Sequence, residues 1–205
     1  MKRGTKSLLF GVHQFIIHPI IVAIAWYKLY GFPFDPRIWV AFIVHDWGYW
    51  GCSQMDGEEG DNHPYLGANL MHYLFDGHRG DSAVDTWNPL KWIRFIIACD
   101  YEPRWYNFCL CHSRFLAKQK DLQPSKLCMA DKLAVYYYPN WLYIFLAKLS
   151  GELWEYLDSA KQSGKHGHMN LNDTNPEIWL NEVKQFLYEY AFEHKDGKID
   201  KVTKI

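Results

Sequence analysis

The chain is predicted to be all-α, and three features carry that expectation. Its apolar runs have helical length and open on proline or a capping residue. Its β-branched residues fall inside those same runs, so no separate strand signal remains. No internal repeat and no dividing linker is present, so all 205 residues are expected to form one domain.

The elements follow in order. "HPIIVAIAWYKLYG" has Pro19 in its first turn and stops at Gly31. "DPRIWVAFIVHDWGYWG" opens with Asp35 as cap and Pro36 at the first helical position, and is expected to end near Gly48 and Gly51. An acidic loop from Cys52 to Asn62 leads to a third helix, "HPYLGANLMHYLF". Residues 76–90 are polar and turn-rich, hence a loop. "LKWIRFIIACDY" reads as a helix and "HSRFLAKQ" as a short one, and "PSKLCMADKLAVYYY" opens on Pro124 and Ser125 before another. "NWLYIFLAKLSGELWEYLDSAK" is expected to run as one helix through Gly151. A surface loop over 163–175 precedes the closing amphipathic helix, "PEIWLNEVKQFLYEYAFEH".

Composition narrows the function. Hydrophobic residues make up 49% and aromatics 18%, which excludes general disorder and supplies walls for a core or a ligand site. A net charge of -1 offers no footprint for duplex nucleic acid, while a small anion needs only local positive charge. "MKRGTKSLLF" has the basic start of a signal peptide, yet His13, Gln14, His18 and Pro19 break up the apolar text around "FIIHPIIVAIAW" and no clean cleavage site follows. That segment is expected to be a buried helix rather than a membrane span. Five cysteines without a metal or redox spacing indicate reduced, buried thiols and a cytoplasmic protein. Nothing in the chain fixes an oligomeric state.

Six residues stand out at or near expected helix ends: His18, His45, Asp46, His63, His112 and Asp131. Imidazoles with carboxylates suit divalent first-row metals, namely Fe, Mn, Co, Ni or Zn. Asp46 has two oxygens and can bridge two such ions at about 3.5–4 Å, the spacing used for in-line displacement.

The local texts around these residues resemble the HD-domain metal-dependent phosphohydrolase superfamily. "HPIIVAIAW" is similar to the first-histidine helix, "AFIVHDWG" to the run ending in HD-x-G, and "HPYLGANLM" to the next histidine helix. "CHSRFL" is similar to the fourth motif and "LCMADKLA" to the closing aspartate helix. The resemblance covers residues 13–145, leaving 146–205 as C-terminal helices without diagnostic motifs. It implies a compact multi-helix fold around one or two divalent metal ions in a central, dinuclear site. His18, His45, Asp46 and Asp131 would hold the first ion; Asp46 would bridge, and His63 and His112 would hold the second.

Many members carry a lysine in HD-x-G-K and some a glutamate three residues after the aspartate; here Tyr49 stands in both places. Phosphate binding would then pass to Lys132 or Arg114, with Lys126 a weaker alternative. Asp46 counts as catalytic through the metals, and Asp56, Glu58 or Glu59 would donate the leaving-group proton. His13, beside Gln14, would line the substrate mouth, and Tyr49, with Trp47 and Trp50, would stack on a base or sugar. The expected activity is hydrolysis of a small phosphorylated molecule, a nucleotide first. Two alternatives stand beside it. One is a di-iron oxygenase of the same superfamily, acting on an inositol- or phosphonate-like substrate. The other is a non-catalytic metal-containing nucleotide sensor.

Overall fold

The computed structural model describes residues 1–55, 57–76, 104–165 and 171–197. Asp56, Cys99 and the helix expected over 90–101 lie outside them, as does nearly all of the loop expected at 76–90.

Among the described residues the chain is helical, with no β-strand. The helices are α1 (Arg3–Phe10), α2 (Ile17–Tyr30), α3 (Pro36–Val44), the short α4 (Glu58–Asp61), α5 (Pro64–Phe75), α6 (Arg104–Leu110), α7 (Arg114–Gln119), α8 (Lys126–Tyr137), α9 (Asn140–Ser150), α10 (Glu152–Lys165) and α11 (Pro176–His194). Local chemistry starts most of them where the sequence indicates. Asp35 accepts the Arg37 N–H ahead of Pro36. Ser125 accepts the Cys128 N–H to open α8, and Asn175 accepts from Glu177 and Ile178 to open α11.

The core forms where α2 lies along α8, α5 along α6, and α11 closes over α8. Val22, Ala25, Leu127, Ala130, Leu133 and Ala134 are fully enclosed there. The small side chains let α2 and α8 approach closely, which brings His18 and Asp131 to one place.

Four expectations change. Helix α1 is additional, buried through Ser7 and Leu8. The helix opening at Asp35 and Pro36, α3, ends at Val44 rather than near Gly48 and Gly51, and Trp47–Tyr49 form a separate 3₁₀ turn. The helix expected to pass through Gly151 is two, because Gly151 caps α9 in the left-handed conformation at φ +90°. Helix α6 is also additional, and its cap is remote. The buried carboxylate of Asp76 accepts the N–H groups of Trp105 and Tyr106, both at 2.9 Å. One smaller shift is that α10 runs to Lys165, into the loop expected from 163.

No helix among the described residues is long and apolar enough to cross a membrane. Cys52, Cys109, Cys111 and Cys128 are buried thiols, as expected. Helix α2 is buried on one side only; Ile20, Ile24 and Tyr27 are exposed on the other.

Candidate metal centre

Five elements deliver the six singled-out residues to one buried point. His18 is in the first turn of α2, His45 caps the end of α3, and Asp46 follows it. His63 precedes Pro64 at the start of α5, and His112 lies just beyond α6. Asp131 is not at a helix end; it sits mid-helix in α8. Ending α3 at Val44 has a visible consequence: His45 turns its Nδ1–H back to the Phe42 carbonyl at 3.1 Å, leaving Nε2 to face Asp46.

The donor atoms fall into two groups that share Asp46: His18, His45, Asp46 and Asp131, and then Asp46, His63 and His112. Asp46 Oδ2 is 3.1 Å from His18 Nε2 and 3.2 Å from His45 Nε2. Asp46 Oδ1 is 3.5 Å from both His63 Nε2 and His112 Nε2. Asp131 Oδ1 lies 3.1 Å from His18 Nε2 and 3.6 Å from His45 Nε2. Donors around one ion bound at roughly 2.1 Å sit about 3.0–3.4 Å from one another; the spacings of 3.1 and 3.2 Å fall inside that range, and those of 3.5 and 3.6 Å lie just beyond it.

The tautomers agree. His63 Nδ1 donates to the Gly60 carbonyl and His112 Nδ1 to the Cys109 carbonyl, both at 2.6 Å. In the neutral rings both Nε2 atoms therefore carry lone pairs, yet they face each other at 2.9 Å. Such a contact is stable only with a proton or a cation between the rings. Asp46 Oδ2, on the side of His18 and His45, is buried without a hydrogen bond, an unsatisfied acceptor in the other donor group. This buried group of histidines and aspartates can hold a metal ion.

Burial and the two aspartates set the charge on these imidazoles in opposite directions. Burial opposes charge on His45, but Asp46 and then Asp131 overcome it and raise the imidazole to about 10. Burial also opposes the Asp46 charge, and His45 first among the imidazoles holds that carboxyl well below the usual range. Asp131 is held low as well, against burial, through His18 and His45. His63 goes the other way, to about 4, because burial and the His112 ring outweigh Asp46. A metal ion entering here displaces protons, so its affinity rises with pH.

Of the remaining singled-out residues, His13 and Lys132 line a cavity of about 100 Å³ together with Val12, His18, Asp131 and Tyr138. Tyr49 stacks on His63, with ring centroids 3.9 Å apart, and also touches His13, so its ring positions two imidazoles. Arg114 is elsewhere: its guanidinium lies over the Tyr190 ring at 4.8 Å, and it does not line the cavity. Lys126 lies over Tyr30 at 5.0 Å and is outside it too. Glu58 and Glu59 are exposed and line no part of it. Glu59 is tied to the Ser53 N–H at 2.5 Å, which lowers its carboxyl and keeps it ionised, a poor state for a proton donor.

Sequence reading missed Glu152. This carboxylate is wholly buried and accepts from Ser7 Oγ at 2.7 Å, Tyr156 OH at 3.1 Å, the Val12 N–H at 3.3 Å and Ser150 Oγ. It also accepts His13 Nδ1–H at 2.8 Å. Burial works against charge on His13, and Glu152 overrides it, raising the ring to about 9. Read as the middle of one helix, Glu152 gives no signal; the break at Gly151 is what turns it inward.

Gly48 fixes the second donor group. A Cβ there would lie 1.8 Å from the His63 carbonyl oxygen and 2.8 Å from its Cα. Gly48→Ala is expected to lower stability by about 1–3 kcal/mol through overpacking. It should also weaken cobalt binding at the His63 and His112 pair; thermal unfolding and cobalt titration check both. In comparisons with known proteins, no family model matches this chain, and no curated protein or solved structure matches it either. What is established about the centre therefore comes from its own geometry.

Proposed function

We propose that the chain is a dinuclear metal-dependent phosphohydrolase of HD-domain type, acting on a small phosphorylated substrate, a nucleotide by preference. One observation carries this reading: the two oxygens of Asp46 address two different donor groups, as a carboxylate bridging a pair of cations does. Four imidazoles and two carboxylates favour Fe, Mn, Co, Ni or Zn over Mg or Ca. Ions held there supply Lewis acidity and lower the pKa of water towards roughly 7.

The chain's own side chains supply the rest. Lys132 and His13 share the cavity with His18 and Asp131, giving positive charge where a phosphoryl group enters. Lys132 thus takes the part left open by Tyr49. Glu152 holds His13 by Nδ1, so Nε2 is the ring nitrogen left to hydrogen-bond substrate. The cavity of about 100 Å³ beside His18 and Asp131 is where the phosphoryl group would sit.

The test is phosphate release from nucleoside mono- and triphosphates and a cyclic nucleotide, with each metal added in turn. Turnover with at least one metal is expected. Lys132→Ala should raise KM about ten-fold or more with metal content unchanged, the loss of a hydrogen bond to a charged group. Iron-dependent oxygen uptake on an inositol or phosphonate, without phosphate release, would replace this reading with the oxygenase. Tight nucleotide binding without turnover would replace it with the sensor.

A further inference from the structure

The outer face of α2 and α3 raises a question that the metal centre does not answer. Helix α2 is apolar on nearly every side, with only His18 and Lys28 polar among residues 17–30. A helix of that kind is normally enclosed. Yet Ile16, Ile20, Ile24 and Tyr27, one stripe along it, are 44–69% exposed. Trp39 and Ile43 form a second exposed stripe on the neighbouring α3. Ring contacts join the two helices at both ends: Phe15 to Trp47 and Trp50, and Phe32 to Trp39. At about 200 Å² per fully exposed large side chain, these six with Phe32 and Phe34 leave about 900 Å² of apolar surface open.

That area exceeds the patch of about 300–600 Å² found on ordinary monomers and reaches the roughly 800 Å² per partner of a stable interface. The charge around it selects the partner. No stripe position is charged, and Arg37 beside them is forked onto Asp35 at 2.8–3.1 Å. A lipid surface calls for a basic rim, and the basic residues on α2 and α3 are Lys28 and Arg37, the latter held by Asp35. A partner of opposite charge has nothing here to meet. A largely apolar pair of antiparallel helices can pack against a second copy of itself about a two-fold axis. A smaller exposed stripe of Trp141, Phe145 and Leu149 lies on α9 beside Lys148, as Lys28 lies beside the stripe on α2.

We propose that the α2–α3 face is the interface of a two-fold homodimer, packing α2 and α3 of one chain against the same helices of a second. The inference is independent of the chemistry proposed above. Sedimentation velocity on the full chain at about 50 μM tests it, with Ile24→Glu and Trp39→Glu, one variant on each helix, and Phe145→Glu on the other apolar stripe. Wild type and Phe145→Glu are expected at twice the chain mass. Ile24→Glu and Trp39→Glu should sediment as monomers, their dissociation constants raised about 100-fold or more, with helicity and bound cobalt retained. A monomeric wild type overturns the proposal. So does a dimer that survives both helix variants while dissociating in Phe145→Glu. Monomeric wild type that co-floats with phosphatidylcholine vesicles overturns it in favour of a lipid surface. If one variant fails to fold, the other decides.

Discussion

On the proposed chemistry, Asp46→Ala is expected to leave the protein without bound transition metal and to lower metal-dependent turnover by about a thousand-fold or more. The size follows from losing several kcal/mol of charge stabilisation, at 1.36 kcal/mol per factor of ten. Asp46 is the one residue common to both donor groups, with each oxygen committed to a different set of imidazoles. Its loss therefore strips both sets at once. His63→Ala should behave differently, because it touches only the group completed by His112. Metal analysis after cobalt loading separates the cases: two equivalents in wild type, about one in His63→Ala, and none in Asp46→Ala. Asp46→Asn keeps the shape but not the charge, and should also lose tight binding. Full occupancy and activity in Asp46→Ala would remove the basis for the proposed chemistry.

Glu152→Ala should destabilise the fold by about 3–5 kcal/mol, the usual cost of removing one partner of a buried charge pair. The carboxylate joins α1 through Ser7, the α1–α2 connection through Val12 and His13, the end of α9 through Ser150, and α10 through Tyr156. Glu152→Gln keeps the shape and isolates the charge, and its effect depends on pH. His13 has a folded value of about 9 against an ordinary 6.5. Its contribution is therefore complete below about pH 6.5 and lost as pH rises through 9. Glu152 is shifted down from 4.5, so its contribution is present above that value and lost as pH falls through the lowered one. The pair is at full strength between about pH 4.5 and 6.5, and His13 accounts for about 3 kcal/mol there. Urea unfolding of the metal-free protein at pH 6 and pH 9 measures this. The gap between wild type and Glu152→Gln should be wider at pH 6 than at pH 9 by the His13 share, the remainder at pH 9 being the Ser7, Ser150 and Val12 hydrogen bonds to the carboxylate. His45 and His63 titrate in both proteins, so their effect cancels in the difference. An equal gap at both values would show that His13 is not held by Glu152 as described.

Most helix starts and the six candidate donors were legible in the order of residues alone. Helix starts are local events: Asp35 beside Pro36, Ser125 ahead of Cys128, and Asn175 ahead of Pro176 each cap within a few residues. The donors were legible because imidazoles and carboxylates beside apolar runs are unusual and few. What only the tertiary structure decided is everything that depends on distant partners. Helix α6 has the N–H groups of Trp105 and Tyr106 accepted by Asp76, a partner far back in the chain. The acids of the 58–61 turn and Glu152 are chemically alike in the sequence, yet the turn is exposed and Glu152 is wholly buried. Likewise Arg114 and Lys132 each follow a donor closely; α11 draws the first onto Tyr190, while the second lines the cavity. A carboxylate or a cation acquires its role from the dielectric and the partners around it, and those are set by packing between elements far apart in sequence.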